Sequence, residues 1–196
     1  MSATPAAAVD ARANLVVLRV GFPRTGKTVH LKRLIETAGQ KKGVLIYDIN
    51  NEAKYQDYPQ ITLAQLAKWK STGIYRIFSD DDQAVLAAIY KYAYNCMVVF
   101  EDATAYIKPN VQDEIRKLLV SRRHRNLDLL FTFHSLNRVP KQLYEMTNLL
   151  VLGKTSDGIE NGGTLQKVPN FELVKAAWQR VQAHESRYHY EVITIQ

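Results

Sequence analysis

The sequence predicts an α/β fold built on a mostly parallel sheet with helices on both faces. From residue 15 onward, short apolar runs rich in β-branched residues alternate with longer amphipathic segments. Strands interleaved with helices in this way form parallel sheets that helices cover on both sides. The last run, residues 188–195, alternates between apolar and polar side chains, which predicts an antiparallel strand at the edge of the sheet.

The predicted elements have local signals at their ends. Gly21 ends the first apolar run, Gly39 ends the first amphipathic segment, and three aspartates at 80–82 supply a capped helix start that suits the helix dipole. In chain order, strands are predicted at 15–20, 44–49, 74–78, 97–100, 127–133, 149–152 and 188–195. Helices are predicted at 28–37, 63–69, 80–94, 111–122 and 171–182.

Length, composition and charge limit the class of protein. The chain has 196 residues, 46% hydrophobic and 23% charged, as in ordinary globular proteins. We predict a flexible Ala-rich leader at 1–14 and a single domain at 15–196. No apolar run approaches the roughly 18 residues that span a bilayer, and the single cysteine excludes an internal disulfide. The net charge of +7 favours an anionic partner, nucleic acid first and an acidic membrane surface second.

A phosphate-binding loop is the strongest motif in the sequence. Residues 21–28 match G-x-x-x-x-G-K-[ST] at every fixed position, between a predicted strand and a predicted helix. Glycines at such positions let successive backbone N–H groups converge on phosphate oxygens. Lys27 is expected to reach the β- and γ-phosphates of ATP, and Thr28 is expected to ligate Mg²⁺. The predicted nucleotide-binding residues are Gly21, Arg24, Thr25, Gly26, Lys27 and Thr28.

An acidic pair is predicted to complete the catalytic site. Glu101 and Asp102 follow the apolar run 97–100, and parallel sheets place their ligands at the carboxyl ends of strands. Adjacent carboxylates there can divide the work, one facing Mg²⁺ and the next facing the attacking water. A strand-end turn with Asp102 as a helix cap is the structural alternative.

A third strand end carries His134, directly after the run 127–133. Two predicted strands lie between the phosphate loop and the acidic strand, as in ATPases of the additional-strand type. Such ATPases place a polar sensor residue beside the γ-phosphate at the end of a further strand, so His134 is either that sensor or a capping residue. The sequence has no Asn-Lys-x-Asp guanine reader, and no arginine lies between residues 49 and 74 to form a kinase lid.

In these features the chain resembles the FtsK–HerA superfamily of DNA-pumping ATPases, in particular the viral genome-packaging ATPases and the zonular-occludens-toxin-like phage ATPases. The phosphate loop, the Asp-then-Glu segment 47–52, the Walker B position 98–102 and the segment 121–135 carry the resemblance. The last segment is similar to an Arg-His-x-Gly-x-Asp motif. Here Glu101-Asp102 reverses the usual Asp-Glu order, Asn126 replaces a glycine, and His134 stands where a sensor Gln is usual.

The resemblance implies a RecA-like P-loop NTPase fold and a function. The chain is expected to be an ATPase that forms a ring, a pentamer or hexamer, and translocates double-stranded DNA into a viral capsid. By position, Glu101 would serve Mg²⁺, Asp102 would activate water, and Arg123 would be an arginine finger offered to the neighbouring subunit. A capsid or portal partner is expected, with the protein in the host cytoplasm or associated with the virion. The alternatives are a phage assembly, extrusion or secretion ATPase, and a nucleotide-binding switch that does not hydrolyse ATP.

A basic cluster adjoins the predicted finger at the end of the helix 111–122. It can be a solvated helix end, a nucleotide-facing finger or a contact to the DNA backbone. Its members are Arg116, Lys117, Arg122, Arg123 and Arg125. The Gly-rich loop 156–168, flanked by Lys154 and bearing Lys167, is either a DNA-gripping loop or a surface hairpin.

Overall fold

The structure is a computed structural model that describes residues 14–107, 111–159 and 169–196. In these ranges the chain forms seven β-strands and six α-helices. The strands are β1 Val16–Val20, β2 Gly43–Tyr47, β3 Ile74–Ile77, β4 Cys96–Phe100, β5 Leu127–Phe133, β6 Leu149–Gly153 and β7 Tyr190–Thr194. The helices are α1 Lys27–Gly39, α2 Leu63–Leu66, α3 Asp82–Tyr92, α4 Asp113–Arg125, α5 Lys141–Glu145 and α6 Phe171–Ala183.

The seven strands pair into one sheet with the order β3-β2-β4-β5-β1-β6-β7. Five of the neighbouring pairs are parallel, and only β7 runs antiparallel, on β6. The predicted fold class and the antiparallel C-terminal edge strand are therefore confirmed. β5 lies between β1 and β4, so the strand that precedes His134 separates the phosphate-loop strand from the acidic strand, as the additional-strand class requires.

The sheet has a hydrophobic core on each face. Helix α1 covers one face with Leu31 and Ile35, together with Tyr55 from a short 3₁₀ turn. The helices α2 to α6 contribute buried residues to the other face. Every residue of β1 and β5 is buried, which explains why both strands are mainly apolar and do not alternate; the buried polar exceptions are Arg19, Asp128 and Thr132.

The observed element bounds differ from the predicted ones by a few residues. The helix predicted at 63–69 ends at Leu66, and the strand predicted from residue 188 begins at Tyr190. Helix α5 was not predicted, because a helix of five residues is too short to show helical periodicity. The leader, apart from residue 14, and most of the Gly-rich loop, including Lys167, lie outside the described residues. The division into leader and domain stays a prediction.

The turn between α4 and β5 has the conformation that its asparagine allows. Asn126 has φ 53° and ψ 54° and caps α4 in the left-handed region. Asparagine is one of the few residues that adopt this conformation at low cost, so it can replace the glycine that the family resembled by this chain has here. In the part of the chain that the structure describes, no helix is long and apolar enough to cross a membrane.

Candidate active site

The phosphate loop connects β1 to α1 and leaves backbone donors at the helix start. Gly21 N–H donates to the Phe133 carbonyl at 3.1 Å, which fixes the beginning of the loop against β5. Gly26 has φ 75° and precedes the helix, a conformation in which a side chain would be strained. The first helical bond is His30 N–H to Gly26 C=O, so the N–H groups of Lys27, Thr28 and Val29 have no helical acceptor. This arrangement suits a phosphate.

The acidic pair follows β4 and the phosphate loop follows β1, and only β5 lies between these two strands. The pair and the loop therefore stand close together at the carboxyl edge of the sheet. Asp102 adopts φ 44° and ψ 50°, and its N–H donates to Thr132 Oγ1 at 2.8 Å. The Thr132 hydroxyl in turn donates to Glu101 Oε2 at 3.0 Å. One buried threonine of β5 therefore holds both the backbone of Asp102 and the carboxylate of Glu101. No motif indicated Thr132, since its role depends on the pairing of two strands.

Lys27, His134 and Asp102 form a chain of contacts across the site. Lys27 Nζ lies 2.7 Å from His134 Nδ1, and His134 Nε2 lies 3.1 Å from Asp102 Oδ1. An ammonium group can only donate, so we assign Nδ1 as the acceptor and place the ring proton on Nε2, facing the carboxylate. The structure thus brings three predicted residues into direct contact. Asn50 Nδ2 also donates to Asp102 Oδ2, at 3.4 Å.

Glu101 is engaged by a lysine that sequence reasoning did not select. Lys54 Nζ lies 2.7 Å from Glu101 Oε1 and 2.8 Å from Glu52 Oε2. Both oxygens of Glu101 therefore have partners within the chain, Lys54 on one and Thr132 on the other. Lys54 follows the Asp-then-Glu segment, where Asp48 is fully buried and accepts the Glu52 N–H with both carboxylate oxygens. That turn is what positions Glu52 and Lys54 at the site.

Burial and neighbouring charges change the proton affinity of these groups. Burial lowers the pKa of Lys27 to about 8, and the carboxylates of Glu101 and Asp102 offset this only in part. The contact with His134 holds the pKa of Asp102 below its ordinary value, although burial acts in the opposite direction. Burial lowers the pKa of Lys54, but the adjacent carboxylates of Glu101 and Glu52 outweigh it, so the pKa is raised. The lowest proton affinity among these cations belongs to the lysine of the phosphate loop.

Seven of the ten predicted site residues line one cleft of about 630 Å³, within the usual size range of ligand pockets; the exceptions are Gly21, Thr25 and Arg123. The lining residues are Pro23, Arg24, Gly26, Lys27, Thr28, Val29, Glu52, Lys54, Glu101, Asp102, His134, Arg187 and Tyr188. Thr25 is buried and donates from its hydroxyl to the Phe22 carbonyl at 2.8 Å, so its side chain shapes the loop. Gly21 lies at the loop entrance beside Thr25.

The donor set suits Mg²⁺ held jointly with a phosphate. Thr28, Glu101 and Asp102 line the cleft with oxygen atoms, the ligand type that Mg²⁺ prefers, and Mg²⁺ is usually held by one or two carboxylates plus substrate phosphates. Over the three described ranges, no group of three or more His, Cys, Asp or Glu side chains could hold a metal ion unaided. Because Lys54 and Thr132 already contact the two carboxylate oxygens of Glu101, direct metal ligation by Glu101 would require one of these contacts to change.

Two residues near the C-terminus complete the rim of the cleft. Arg187 donates from Nε and Nη2 to the Arg24 carbonyl, at 3.0 and 2.6 Å. Tyr188 lies over Gly26, where its Cδ1 is 3.3 Å from the position that a Cβ on Gly26 would take. Sequence reasoning did not select either residue, because they follow the loop by about 160 positions and belong to no motif.

Arg123 lies away from the cleft of its own chain. It belongs to the last turn of α4, which precedes β5, whereas the cleft lies beyond the other end of β5. Seven strand residues at about 3.3 Å each separate the two edges of the sheet by roughly 20 Å. Arg123 is exposed, and the described residues include no ion pair or hydrogen bond to its side chain. The role of Arg123 as a finger offered to a neighbouring subunit stays a prediction.

The other members of the basic cluster have partners within this chain. Arg122 is buried and donates to the carbonyls of Asn14 and Leu119. Arg125 lies 4.5 Å from the ring centroids of both Tyr90 and Tyr94, and it donates to the Tyr90 carbonyl. Arg116 pairs with Asp113 at 2.7 Å, and Lys117 lies 5.6 Å from the Tyr90 ring. Four of the five cluster members therefore have structural contacts around α4.

Fold and site together define the architecture of a P-loop NTPase. The chain matches no protein-family model, and no curated protein matches its sequence. Among solved structures it is similar to the genome packaging NTPase B204 from Sulfolobus turreted icosahedral virus 2 in complex with AMP, with a TM-score of 0.72, 16% identity and 92% of each chain covered. The same protein in complex with AMPPCP gives a TM-score of 0.71 at 18% identity over 93% of each chain.

A more distant likeness involves the conjugation coupling protein TcpA of pCW3, solved with ATPgS. Its TM-score is 0.53 at 13% identity, over 76% of this chain and 51% of that chain. At these identities the likeness shows a shared fold. The structural neighbours match the resemblance that the sequence motifs indicated, and the P-loop NTPase fold expected from it is confirmed.

The two arginines at the end of α4 are expected to differ in their effect on stability. Arg125→Ala removes two cation–π contacts and a hydrogen bond, and should lower the free energy of unfolding by about 1–2 kcal/mol. Arg123→Ala, two residues earlier in the same turn, should change it by less than about 0.5 kcal/mol. Urea unfolding of both variants and the parent measures the difference. Equal losses in the two variants would contradict the structural role of Arg125.

Proposed function

We propose that the chain is an ATP-hydrolysing motor that translocates double-stranded DNA, in the packaging of a viral genome into a capsid. The observation that carries this proposal is the convergence of Lys27, Thr28, Glu101, Asp102 and His134 on one cleft. The fold shared with B204, described as a genome packaging NTPase and as a DNA-packaging ATPase, supports the direction of the proposal. The expected assembly is a ring, with a capsid or portal as its partner.

In the proposed reaction the loop binds the triphosphate and the strand ends act on it. The amides of the first turn of α1 and the ammonium of Lys27 bind the phosphate oxygens. Thr28 and Glu101 would hold Mg²⁺, which supplies charge neutralisation at the β- and γ-phosphates. Asp102 remains ionised because its pKa is lowered, so it can accept a hydrogen bond from the attacking water and orient it.

His134 is proposed to couple phosphate binding to Asp102, the proposed general base. It contacts Lys27 through Nδ1 and Asp102 through Nε2. A γ-phosphate that draws the ammonium of Lys27 toward itself would weaken the first contact and release the ring. The imidazole could then turn toward the phosphate or change its contact with Asp102. This makes His134 a sensor in the position where a glutamine is usual in the resembling family.

A nucleotide-binding switch that does not hydrolyse ATP is the second candidate function. One observation favours it: both oxygens of Glu101 are already engaged by Lys54 and Thr132. A carboxylate held in this way contributes less to a metal shell than a free one. Measurement of turnover separates the switch from the motor.

Hydrolysis and its response to DNA test the proposed motor directly. We expect ATP turnover that long duplex DNA raises several-fold, and Asp102→Asn should abolish turnover while ATP binding remains. Glu101→Gln, the matched variant at the neighbouring position, should instead raise the Mg²⁺ concentration that half-maximal turnover requires, because a neutral amide is a weaker Mg²⁺ ligand than a carboxylate. A chain that binds ATP without turnover would be the switch. Turnover that no DNA affects would contradict the motor. Turnover retained in Asp102→Asn would show that Asp102 is not the general base.

Mixed assemblies test the proposed arginine finger. Arg123→Ala subunits and Lys27→Ala subunits should each be inactive alone. When they are mixed in equal amounts, about a quarter of head-to-tail interfaces combine an intact loop with an intact Arg123, so part of the parent turnover should return. Arg125→Ala in place of Arg123→Ala is the control, because its effect is on stability. No recovery in the mixture would contradict a finger offered between subunits.

The lowered pKa of Lys27 predicts how nucleotide affinity depends on pH. In the free protein the pKa of Lys27 is about 8, and a bound triphosphate should raise it. Below this pH the ammonium is already formed and affinity should be flat with respect to Lys27. Above it, binding must take up a proton, so affinity should fall by up to about tenfold per pH unit. Calorimetric titration between pH 7 and 9.5 measures this, with Lys27→Arg as the variant that should lose the decline. Constant affinity over that range in the parent would contradict the lowered pKa.

A further inference from the structure

A second cleft of about 430 Å³ continues from the phosphate cleft along α1. It is lined by Gly26, Val29, His30, Arg33, Tyr188 and Tyr190. Gly26, Val29 and Tyr188 line both clefts, so a molecule whose phosphates lie on the loop has a direct continuation into the second space. The residues that the two clefts share are apolar or aromatic, whereas the phosphate cleft is lined by charged groups. The two clefts therefore suit the two ends of one nucleotide.

The walls of the second cleft present apolar surface to solvent. Tyr188 is 59% exposed and Val29 is 58% exposed, and the two side chains lie together at this one cleft. The Tyr190 ring packs on His30 with a centroid separation of 4.5 Å. An open aromatic surface of this kind, beside a loop that binds phosphates, is suited to the flat face of a nucleobase.

Tyr188 is held in place by its neighbours and does not hang free. The adjacent Arg187 makes two hydrogen bonds to the Arg24 carbonyl of the phosphate loop, and its guanidinium lies 5.3 Å from the Tyr188 ring centroid. The ring also packs closely over Gly26. The tyrosine is thus tied to the loop itself, so its distance from bound phosphates is fixed by the same backbone that binds them.

The cleft is also lined by a histidine that is expected to be neutral. Burial, with the nearby Arg19 and Arg33, lowers the pKa of His30 to about 4. Its Nδ1 is buried without a hydrogen-bond partner, so in this arrangement the atom is not available to read a base edge. Arg33 also lines the cleft, but it is exposed and no hydrogen bond or ion pair within the described residues fixes its guanidinium. The contact surface with a fixed position is therefore formed by ring faces and an aliphatic side chain.

We propose that this cleft holds the base of the nucleotide by stacking on Tyr188 and packing against Val29, with little discrimination between bases. The inference rests on the proposed nucleotide binding and deepens it. Stacking is tolerant of base identity because every base has a π-face, whereas selection between bases requires donors and acceptors aimed at the base edge. The substrate class is therefore a nucleoside triphosphate with a broad base preference, and not ATP alone.

Comparison of ATP, GTP and inorganic tripolyphosphate, each with Mg²⁺, isolates the contribution of the base. The parent should bind ATP more tightly than tripolyphosphate, and its affinities for ATP and GTP should differ by less than about tenfold. Tyr188→Ala should weaken both nucleotides by about 10- to 100-fold and leave tripolyphosphate unchanged. Tyr188→Phe should keep parent affinity. Val192→Ala, a similarly exposed residue of β7 outside both clefts, is the matched control and should change nothing.

A fluorescent base gives a second measurement that a merely structural role of Tyr188 would not affect. The emission of 2-aminopurine riboside triphosphate should be quenched on binding to the parent and to Tyr188→Phe, and should remain bright when it is bound to Val29→Ala,Tyr188→Ala at saturating concentration. This readout depends on stacking and not on affinity.

The outcomes separate the base site from the proposed function. Loss of tripolyphosphate binding in Tyr188→Ala equal to the loss for ATP would show that Tyr188 supports the loop, and would overturn the base site. Equal parent affinities for ATP and tripolyphosphate would overturn it too. A preference for ATP over GTP above about 100-fold would replace stacking with edge recognition. Failure of the parent to bind both ATP and tripolyphosphate would instead refute nucleotide binding altogether.

Discussion

The site depends on the register of β5 between its two parallel neighbours. Val20 of β1 pairs with Phe133, and Phe100 of β4 pairs with Phe131. The next residues along these strands are therefore Gly21 beside His134 and Glu101 beside Thr132. A slip of one residue would turn the Thr132 hydroxyl toward the opposite face of the sheet and separate it from both acidic residues. The buried apolar side chains on both faces make such a slip costly, and so the hydrophobic core fixes the positions of the candidate catalytic groups.

The polar groups of the cleft are coupled because they share partners. Lys27 contacts His134, His134 contacts Asp102, and Thr132 connects Asp102 to Glu101. In a half-buried setting such contacts reinforce one another, and a group left without its partner is costly. Lys27 is the member whose charged form is destabilised, since burial lowers its pKa. A group of this kind gains from the arrival of phosphate anions, and residues that reduce the stability of the free protein are common at functional sites.

The sequence was sufficient for the parts of the site that are contiguous in the chain. The phosphate loop, the acidic pair and His134 each follow an apolar run, and parallel pairing brings the ends of such runs to one edge. Thr132 and Lys54 could not be found in this way. Strand register brings Thr132 to Glu101, and the turn around Asp48 brings Lys54 to it, and neither can be read from a local motif. The same limit applies to Arg122 and Arg125. Their charges are compatible with a solvated helix end, a nucleotide-facing finger or a DNA contact, because whether an arginine packs on tyrosines or faces solvent depends on tertiary contacts that composition does not record.

The position of Arg123 has a consequence for assembly that follows from strand direction alone. In a parallel sheet, all residues that precede a strand lie at the edge opposite to the phosphate loop, and Arg123 precedes β5. Within one chain the sheet itself stands between this guanidinium and the cleft. Arg123 can therefore act on a γ-phosphate only in the cleft of a second copy, whose carboxyl edge approaches the amino edge of the first. The two surfaces in such a contact differ, so the contact is heterologous, and repeated contacts of this kind form a ring if the rotation closes and a filament if it does not. A catalytic role for Arg123 and a closed ring are thus linked hypotheses: the first requires a head-to-tail contact, and the second is the closed form of that contact.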